Sequence, residues 1–358
     1  MSSCLSAKSD LPVVIESLEL TNFRNFESRK LVFRNRNIFF LGKNGSGKSN
    51  LLESIGFASL LRSFRGASPR EMIRLGSREF QLKTSLHTRA GSESLCVKEH
   101  ISGRRELFIQ NSPVRKSSDF IHEFHTVVFA PEDRMTVSGS SGFRRRYFDI
   151  LISGVEPEYL LRLSRYQRAL VQRNRALKSA PHLAGAFEEE LALQAPFIAG
   201  TRRRYAGVVA GTCDALLAGR GEFAIQYRGD SGENPDAHRK IFALKRESEL
   251  RRQCTLCGPQ LDEFEMYFNG KLLRTYGSTG QIRLVSLLLK LAQFQLISAA
   301  SSAPVAVLAD DVTGELDADN LQLFLNTVSG AQQCFFTFAE PPRFELPDSA
   351  VIEVGNGF

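Results

Sequence analysis

Along the N-terminal third of the chain, apolar and polar positions alternate in the pattern of half-buried strands. Residues 13–20 (VVIESLEL) show this alternation, and shorter apolar runs follow at 80–86, 94–101 and 106–109, with turn residues such as Ala90-Gly91-Ser92 between them. Short runs joined by glycine-containing turns favour antiparallel strands over strand-helix-strand units. The pattern therefore predicts antiparallel structure in this region.

Three further apolar runs lack the alternation and predict buried strands. They are residues 35–41 (NRNIFFL), 126–130 (TVVFA) and 304–308 (PVAVL). A short continuous apolar run bounded by turn residues is typical of a strand that is covered on both faces. With the helices described next, these strands predict an α/β fold.

Helical spacing appears in three parts of the chain. Residues 50–61 and 282–297 carry apolar side chains at helical intervals, and the stretch from 143 to about 252 is largely helical in pattern. Within it, Glu156-Pro157 predicts a helix start, because proline fits the first turn and acids favour the positive end of a helix. A second helix is predicted from 187 to 217. The apolar seam of the first is formed by Tyr159, Leu163, Tyr166, Leu170 and Leu177.

A glycine-rich turn joins the strand at 35–41 to the helix at 50–61 and matches G-x-x-x-x-G-K-[ST], the phosphate-binding loop. Glycines let successive N–H groups point at phosphate oxygens, and the helix that follows adds its positive end. A surface loop with an incidental lysine would not require strand, loop and helix in this order. The candidate phosphate-binding residues are Gly42, Lys43, Asn44, Gly45, Ser46, Gly47, Lys48, Ser49 and Asn50.

Chemical roles within and beyond this loop follow from residue type. Lys48 is predicted to contact the β- and γ-phosphates, and the Ser49 hydroxyl to ligate Mg²⁺. The strand at 304–308 leads into Asp310 and Asp311. We expect Asp310 to hold the water shell of Mg²⁺ and Asp311 to orient the attacking water, because carboxylates opposite a phosphate loop serve these roles.

A second small-residue turn, Tyr276 to Gln281 (YGSTGQ), opens the apolar helix at 282–297. It admits two interpretations. The free N–H groups of a helix start can bind an anion through Ser278, Gly280 and Gln281, or the turn can simply cap the helix.

Composition and charge narrow the class of protein. The chain has 358 residues, of which 42% are hydrophobic and 24% are charged, as in an ordinary soluble protein of about two domains. No apolar stretch of the sequence is expected to reach the length of a membrane span. The first residues, MSSCLSAKSDLP, lack the layout of a secretion signal, so a cytoplasmic location is expected.

Basic residues predict a second, polyanionic partner. The net charge is +7, more than a bound nucleotide requires, and the arginines cluster in the helical region. Contact with a nucleic-acid backbone is the preferred interpretation, and solvated surface is the alternative. The clustered arginines are Arg144, Arg145, Arg146, Arg162, Arg165, Arg168, Arg173, Arg175, Arg202, Arg203 and Arg204.

The cysteines give no sign of a disulfide framework. All six are scattered, and the single C-x-x-C, at Cys254 and Cys257, lacks the second ligand pair of a zinc site. We interpret them as unconnected thiols.

Six segments of the chain resemble, in order and spacing, the motifs of the RecF family. Its members are DNA repair and recombination ATPases whose head is related to the ABC and SMC ATPases. The six segments cover essentially the whole chain. The segments are 18–26 (LELTNFRNF), 42–50 (GKNGSGKSN), 127–133 (VVFAPED), 144–151 (RRRYFDIL), 278–283 (STGQIR) and 308–317 (LADDVTGELD).

The resemblance implies an ABC/SMC-type ATPase head with an inserted helical second lobe. The head is expected at 1–135 and 254–358, and the basic lobe at 136–253. ATP with Mg²⁺ would lie between two copies of the chain, with Ser278 of one copy facing the phosphate loop of the other. Arg24 would lie near the nucleotide, and residues 314–317 would form a loop that crosses the dimer.

The resemblance also implies a function in DNA repair, recombination, replication and the SOS response. Expected partners are gapped or junction DNA, RecO and RecR, with loading of RecA as the outcome and weak, DNA-stimulated ATP hydrolysis as the activity. The stretch 258–263 reads GPQLDE where the family commonly has GPHRDD. That departure keeps a second hypothesis open, an ATP-binding DNA scaffold with negligible hydrolysis. A transporter ATPase subunit shares the loops but leaves the arginine-rich insertion unexplained.

Overall fold

The computed structural model describes residues 14–88, 91–311, 314, 316–342 and 344–355. Its contacts divide the chain into two compact units. The head unit comprises the residues up to Glu132 and from Phe294 onward, and the helical unit comprises Asp133–Gln293.

The strands, in chain order, are β1 (Ile15–Phe23), β2 (Phe26–Val32), β3 (Asn37–Leu41), β4 (Glu79–Thr88), β5 (Gly91–His100), β6 (Arg105–Ile109), β7 (Ser112–Val114), β8 (His125–Phe129), β9 (Phe223–Arg228), β10 (Glu263–Phe268), β11 (Lys271–Leu272), β12 (Val305–Asp310), β13 (Gln333–Phe338) and β14 (Ser349–Glu353).

The α-helices are α1 (Lys48–Leu60), α2 (Pro69–Met72), α3 (Ser117–Ile121), α4 (Arg134–Ser138), α5 (Ser141–Val155), α6 (Pro157–Ser179), α7 (Glu188–Leu217), α8 (Pro235–Arg252), α9 (Leu273–Tyr276), α10 (Thr279–Ala300) and α11 (Ala318–Val328). Short 3₁₀ segments occur at Pro131–Asp133, Pro181–Phe187 and Pro259–Leu261.

Two sheets build the head unit. One is parallel, in the order β14-β3-β13-β12-β8. The other is antiparallel, in the order β2-β1-β4-β5-β6-β7. The predicted antiparallel pairing of the runs at 80–86, 94–101 and 106–109 is therefore confirmed.

Helix α1 lies in the core that these two sheets share. Leu52 and Ile55 of α1 are fully buried together with Phe80 of β4 and Phe40 of β3. Ten of the helix's thirteen residues are buried, which explains why its apolar side chains are not confined to one stripe. A helix covered on most sides is held firmly, and the phosphate-binding loop directly precedes it.

The helical unit packs α5, α6, α7 and α8 with a three-stranded antiparallel sheet of order β11-β10-β9. The predicted helix seam on α6 is buried at Tyr159, Leu163, Tyr166 and Leu177. The unit therefore confirms the inserted, largely helical second lobe of the α/β fold, with one small sheet that the helical pattern did not predict.

The unit boundaries differ from those expected. Residues 254–293 were assigned to the head from the sequence, but they cluster with the helical unit. The physical reason is pairing: β10 forms its ladder with β9, and Glu263 binds Arg144 of α5 through both carboxylate oxygens. The second boundary falls inside α10, between Gln293 and Phe294.

Among the described residues, α10 alone is long and apolar enough by composition to cross a membrane, contrary to the expectation from the sequence. The most apolar stretch of α10 is 56% buried within the structure. The core helix of a globular protein has the same composition, so this helix is weak evidence for a membrane span.

Candidate functional site: a phosphate-binding loop with a carboxylate pair

The loop that connects β3 to α1 is held at its start by the neighbouring strands. The Gly42 N–H donates to the Phe338 carbonyl at the end of β13, over 3.2 Å. A Cβ at position 42 would collide with the Val354 carbonyl oxygen just after β14. Glycine is required here because three backbones approach one another closely.

Further along the loop, glycine is required by backbone conformation. Gly45 and Gly47 have φ angles of +83° and +100°, in the left-handed region that disfavours side chains. Gly47 also faces the side chains of Asn25 and Phe26, which lie within 2.9 Å of the place a Cβ would take. The loop can curl its N–H groups inward only with glycines at these two positions.

Helix α1 begins at Lys48 without a side-chain cap, so its first N–H groups remain available to a ligand. The Ser46 hydroxyl is buried and has no hydrogen-bond partner within the part of the chain that the structure describes. Open backbone donors with an unsatisfied buried hydroxyl fit a bound phosphate, since buried polar atoms are otherwise paired.

The Lys48 ammonium group folds back onto the loop. It donates to the carbonyl oxygens of Gly42 and Lys43 over 2.6 and 2.9 Å. Burial lowers the pKa of Lys48, and the nearby carboxylates of Asp311 and Asp310 oppose the shift. An anion in the loop would stabilise the charged form of this lysine in the same way.

The predicted metal ligands meet across the parallel sheet. The Ser49 hydroxyl donates to Oδ1 of Asp310 over 2.8 Å, and Asp310 is the buried last residue of β12. Hydroxyl and carboxylate oxygens are the ligands that Mg²⁺ prefers, so this pair fits that ion. Asp311 follows in the left-handed conformation, with φ +54°, and is exposed.

One residue of this cluster was missed in the sequence. Thr337 on β13 donates from Oγ1 to Asp310 Oδ1 over 2.9 Å and accepts the Asp311 N–H over 3.0 Å. One sign of it is visible in the sequence: Thr337 is the single hydroxyl residue in the apolar run FFTF at 335–338, one position before the end of β13.

Arg24 lies in the turn between β1 and β2, but its guanidinium group is already bound. It forms a two-pronged ion pair with Glu53 of α1 over 2.8 and 2.9 Å and donates to the Glu71 carbonyl. Glu53 is fully buried and also accepts from Ser63. In this structure Arg24 braces α1 one turn beyond the phosphate-binding loop.

The residue after Arg24 was also missed in the sequence. Asn25 accepts a hydrogen bond from the Asn50 side chain over 2.8 Å, and Arg65 donates to Asn50 over 3.2 Å. These side chains line an open cleft of about 590 Å³ beside the loop, together with Arg24, Arg70 and Leu75. Leu75 is 98% exposed, so the cleft has an apolar edge.

In the helical unit, the turn at 276–281 forms a helix cap. The Ser278 hydroxyl accepts the Gln281 N–H over 3.2 Å, and the Gln281 side chain accepts the Ser278 N–H over 3.0 Å. This is a reciprocal capping box. Thr279 and Gly280 are exposed at the start of α10, so the cap leaves room for an anion there, and both interpretations of the turn remain compatible.

The stretch 258–263 is structural. Asp262 is fully buried and accepts from Arg202 and Tyr227 over 2.8 and 2.7 Å. Burial raises the pKa of Asp262, and the Arg202 charge opposes the shift. Glu263 is committed to Arg144. Of the loop expected at 314–317, Glu315 lies outside the described residues.

The arginine clusters are less available than the sequence indicated. Side chains of Arg144, Arg173 and Arg202 are at most 3% exposed and pair with acids inside the helical unit. Interpreting these three as nucleic-acid contacts was wrong, because a buried guanidinium cannot reach a phosphate backbone. Arg162, Arg165 and Arg204 pair with glutamates at the surface. Arg168, Arg175 and Arg203 are exposed.

Three features define a P-loop ATPase head of the ABC/SMC class: a phosphate-binding loop that opens a buried helix, an acid at the end of another strand of the same parallel sheet, and an inserted helical unit. The family model "RecF/RecN/SMC N terminal domain" matches residues 14–349. The chain belongs to this family and resembles its RecF members throughout.

Several curated relatives carry the description "DNA replication and repair protein RecF". That of Bacillus subtilis is 31% identical and aligns over 96% of this chain and 98% of its own length. That of an Exiguobacterium strain is 32% identical over 90% and 91%.

Solved structures agree. One described as the recombination mediator protein RecF with ATP in the RecFOR pathway superposes with a TM-score of 0.88, at 25% identity over 96% of both chains. An Smc head from Pyrococcus furiosus superposes with a TM-score of 0.51 at 16% identity, over 91% of this chain and 90% of that one. The latter supports the fold alone.

Proposed function

We propose that this chain is an ATP-dependent DNA-binding protein of DNA replication and recombinational repair that acts as an ATP-driven dimer. The observation that carries the proposal is the hydrogen bond between Ser49 and Asp310, beside Lys48, because it brings the ligands for Mg²⁺ and phosphate into one cluster. The structure described as RecF with ATP supports the choice of nucleotide, and the curated relatives support the role in DNA replication and repair.

In the nucleotide site, Lys48 and the N–H groups of the loop would hold the phosphates. Ser49 and Asp310 would hold Mg²⁺, which neutralises charge on the phosphoryl group when bound. The open cleft beside Asn25 and Asn50 is large enough for a base and ribose and offers amide donors and acceptors to them. Its apolar edge at Leu75 would face a base.

Hydrolysis requires a group that orients water. Asp311 is exposed at the end of β12, next to Asp310. We assign the water-orienting role to the Asp311 carboxylate, while Asp310 serves the metal. Turnover is expected to be weak and to rise with DNA.

The dimer is supported by the exposed start of α10. Ser278, Thr279 and Gly280 are all exposed there. In a two-fold dimer, the same patch of each copy would face the partner's loop, so two ATP sites would form at one interface. Each ATP would be held in part by Lys48 of one copy and in part by Ser278 of the other.

DNA contact rests on the exposed part of the positive charge. Of the clustered arginines in the helical unit, three are buried and three pair with surface glutamates. Arg168, Arg175 and Arg203 are exposed. The head unit adds a basic segment at 62–78, which contains five arginines and one acid. Such contacts recognise phosphates without sequence preference, as binding of gaps or junctions requires. We extend the proposal to loading of RecA with RecO and RecR in the cytoplasm, as the resemblance to RecF implies.

An ATP-binding scaffold with negligible turnover is the second candidate. Asp262 and Glu263, the acids kept in the altered stretch, are both engaged in ion pairs within the helical unit. They are therefore not available as catalytic carboxylates. A single-turnover experiment distinguishes the two candidates: measurable ATP hydrolysis favours the ATPase, and its absence favours the scaffold.

Sedimentation tests the proposal. Wild type, Lys48→Ala and Ser278→Arg are compared with and without ATP and Mg²⁺, then with gapped DNA at two salt concentrations. We expect the wild type to form a dimer only with ATP and to hold DNA more weakly at high salt. Lys48→Ala should lose nucleotide and dimer, whereas Ser278→Arg should keep the nucleotide and lose the dimer. A wild type that stays monomeric with ATP and still binds DNA would contradict the dimer.

A further inference from the structure

Thr337 occupies a position between the two acids of the nucleotide site. It pairs in register with Asp310 across the parallel ladder of β12 and β13. Residues in register on neighbouring strands point to the same face of a sheet, so the two side chains meet. The Thr337 hydroxyl is 2.9 Å from Asp310 Oδ1 and 3.0 Å from the Asp311 nitrogen.

The direction of both hydrogen bonds is determined by chemistry. The Asp311 N–H can only donate, so the Thr337 oxygen must accept from it. The single hydroxyl proton of Thr337 is then left for the Asp310 carboxylate. Thr337 is 1% exposed, so water does not compete for either bond.

The two hydrogen bonds to Asp310 fix the orientation of its carboxylate. Its Oδ1 accepts from Thr337 on one side and from Ser49 on the other. Two donors on one oxygen hold the carboxylate plane, and Oδ2 is left for a ligand. The same hydroxyl anchors the N–H of Asp311, at the residue where the chain turns into the left-handed conformation.

We propose that Thr337 is a positioning residue of the nucleotide site, which orients Asp310 toward the metal and fixes the backbone of Asp311 at the turn that follows β12. The inference rests on the proposed function. Partners that orient metal ligands are worth about 10- to 100-fold in metal affinity. The effect of losing Thr337 should therefore depend on Mg²⁺, whereas a packing defect would not.

Thr126 provides a matched control. It lies on β8 in the same parallel sheet and is 2% exposed. Its hydroxyl has no hydrogen-bond partner among the residues that the structure describes. Thr126→Val and Thr337→Val thus remove the same group from the same sheet, but only the second touches the acids.

ATP affinity is measured by calorimetry with Mg²⁺ and with EDTA. We expect Thr337→Val to bind ATP about 10- to 100-fold more weakly with Mg²⁺ and unchanged with EDTA. Thr337→Ser should restore the affinity, and Thr126→Val should match the wild type. Equal losses with Mg²⁺ and EDTA, or no loss, would overturn the proposal.

Two further measurements keep the outcomes distinct. If Thr337→Val fails to fold, Thr337→Cys replaces the hydroxyl with a weaker donor of similar size, and the same Mg²⁺-specific loss is expected. If the wild type binds no ATP, the proposed function fails. Mn²⁺ binding without nucleotide then tests Thr337 separately: weaker binding than in Thr126→Val supports the inference, and equal binding overturns it.

Discussion

The hydroxyl of Ser49 donates a hydrogen bond of 2.8 Å to the carboxylate of Asp310, which lies 261 positions further along the chain. The bond joins the first turn of α1 to the end of β12, so the phosphate-binding loop and the acidic strand end form one site. Four side chains meet there: Lys48, Ser49, Asp310 and Thr337. The predictions that follow test what these residues and their supports contribute.

Lys48→Ala is expected to weaken ATP binding at least tenfold, because a hydrogen bond to a charged group contributes roughly 1.5–3 kcal/mol. Fluorescence titration with an ATP analogue measures the affinity. Lys30→Ala is the control, since Lys30 lies on β2, outside the loop, and its side chain is 65% exposed. Equal losses in the two variants would contradict the role given to Lys48.

Asp311→Asn should keep ATP binding and slow single-turnover hydrolysis about 100-fold or more, the usual contribution of a general base. Asparagine tolerates the left-handed conformation that Asp311 adopts, so the backbone should be unchanged. Sedimentation should then show a dimer that persists with ATP. Asp319→Asn, at an exposed position in the first turn of α11, is the control. Normal turnover in Asp311→Asn would remove this residue from the mechanism.

Arg173→Met should destabilise the helical unit by about 3–5 kcal/mol, because the Glu249 carboxylate would be left buried without an opposite charge. Arg165→Met is the control on the same helix, because its pair with Glu190 is exposed and exposed ion pairs contribute little to stability. Urea denaturation followed by circular dichroism measures both. Similar midpoints for the two variants would show that the buried pair is unimportant.

The head unit should become less stable as the pH falls, because the buried His125 ring accepts a proton more readily in the unfolded chain. Burial lowers the pKa of His125 to about 4, and His122 adds to the shift. In the unfolded chain, His125 binds a proton near the usual histidine pKa of about 6.5. The stability that depends on a neutral His125 ring is therefore fully present above about pH 6.5 and is lost as the pH falls toward 4. Between pH 7.5 and pH 5 the expected loss is about 2 kcal/mol.

His125→Leu should remove that part of the pH dependence. Urea midpoints at the two pH values measure it, and His87→Leu serves as the control because the His87 ring is 42% exposed. If both variants lost stability with acid as steeply as the wild type, His125 would not be the titrating group.

Much of the local structure was predictable from neighbouring residues alone. The phosphate-binding loop follows from glycines at 42 and 47 with Lys48 and Ser49, because a strand, a curled turn and a helix start are encoded within about fifteen residues. The helix start at Glu156-Pro157 and the buried strands have the same origin, since periodicity and capping act over short distances. The family followed from the order of six such segments.

The tertiary structure decided which side chains meet. Arg173 and Arg175 look alike in the sequence, yet one is buried between two glutamates and the other is exposed. Whether an arginine is paired depends on acids brought near by folding, such as Glu249, 76 positions away. Thr337 gained its place for the same reason, because the register of β12 and β13 sets it beside Asp310. Local spacing carries no information about such distant partners; only the packed chain does.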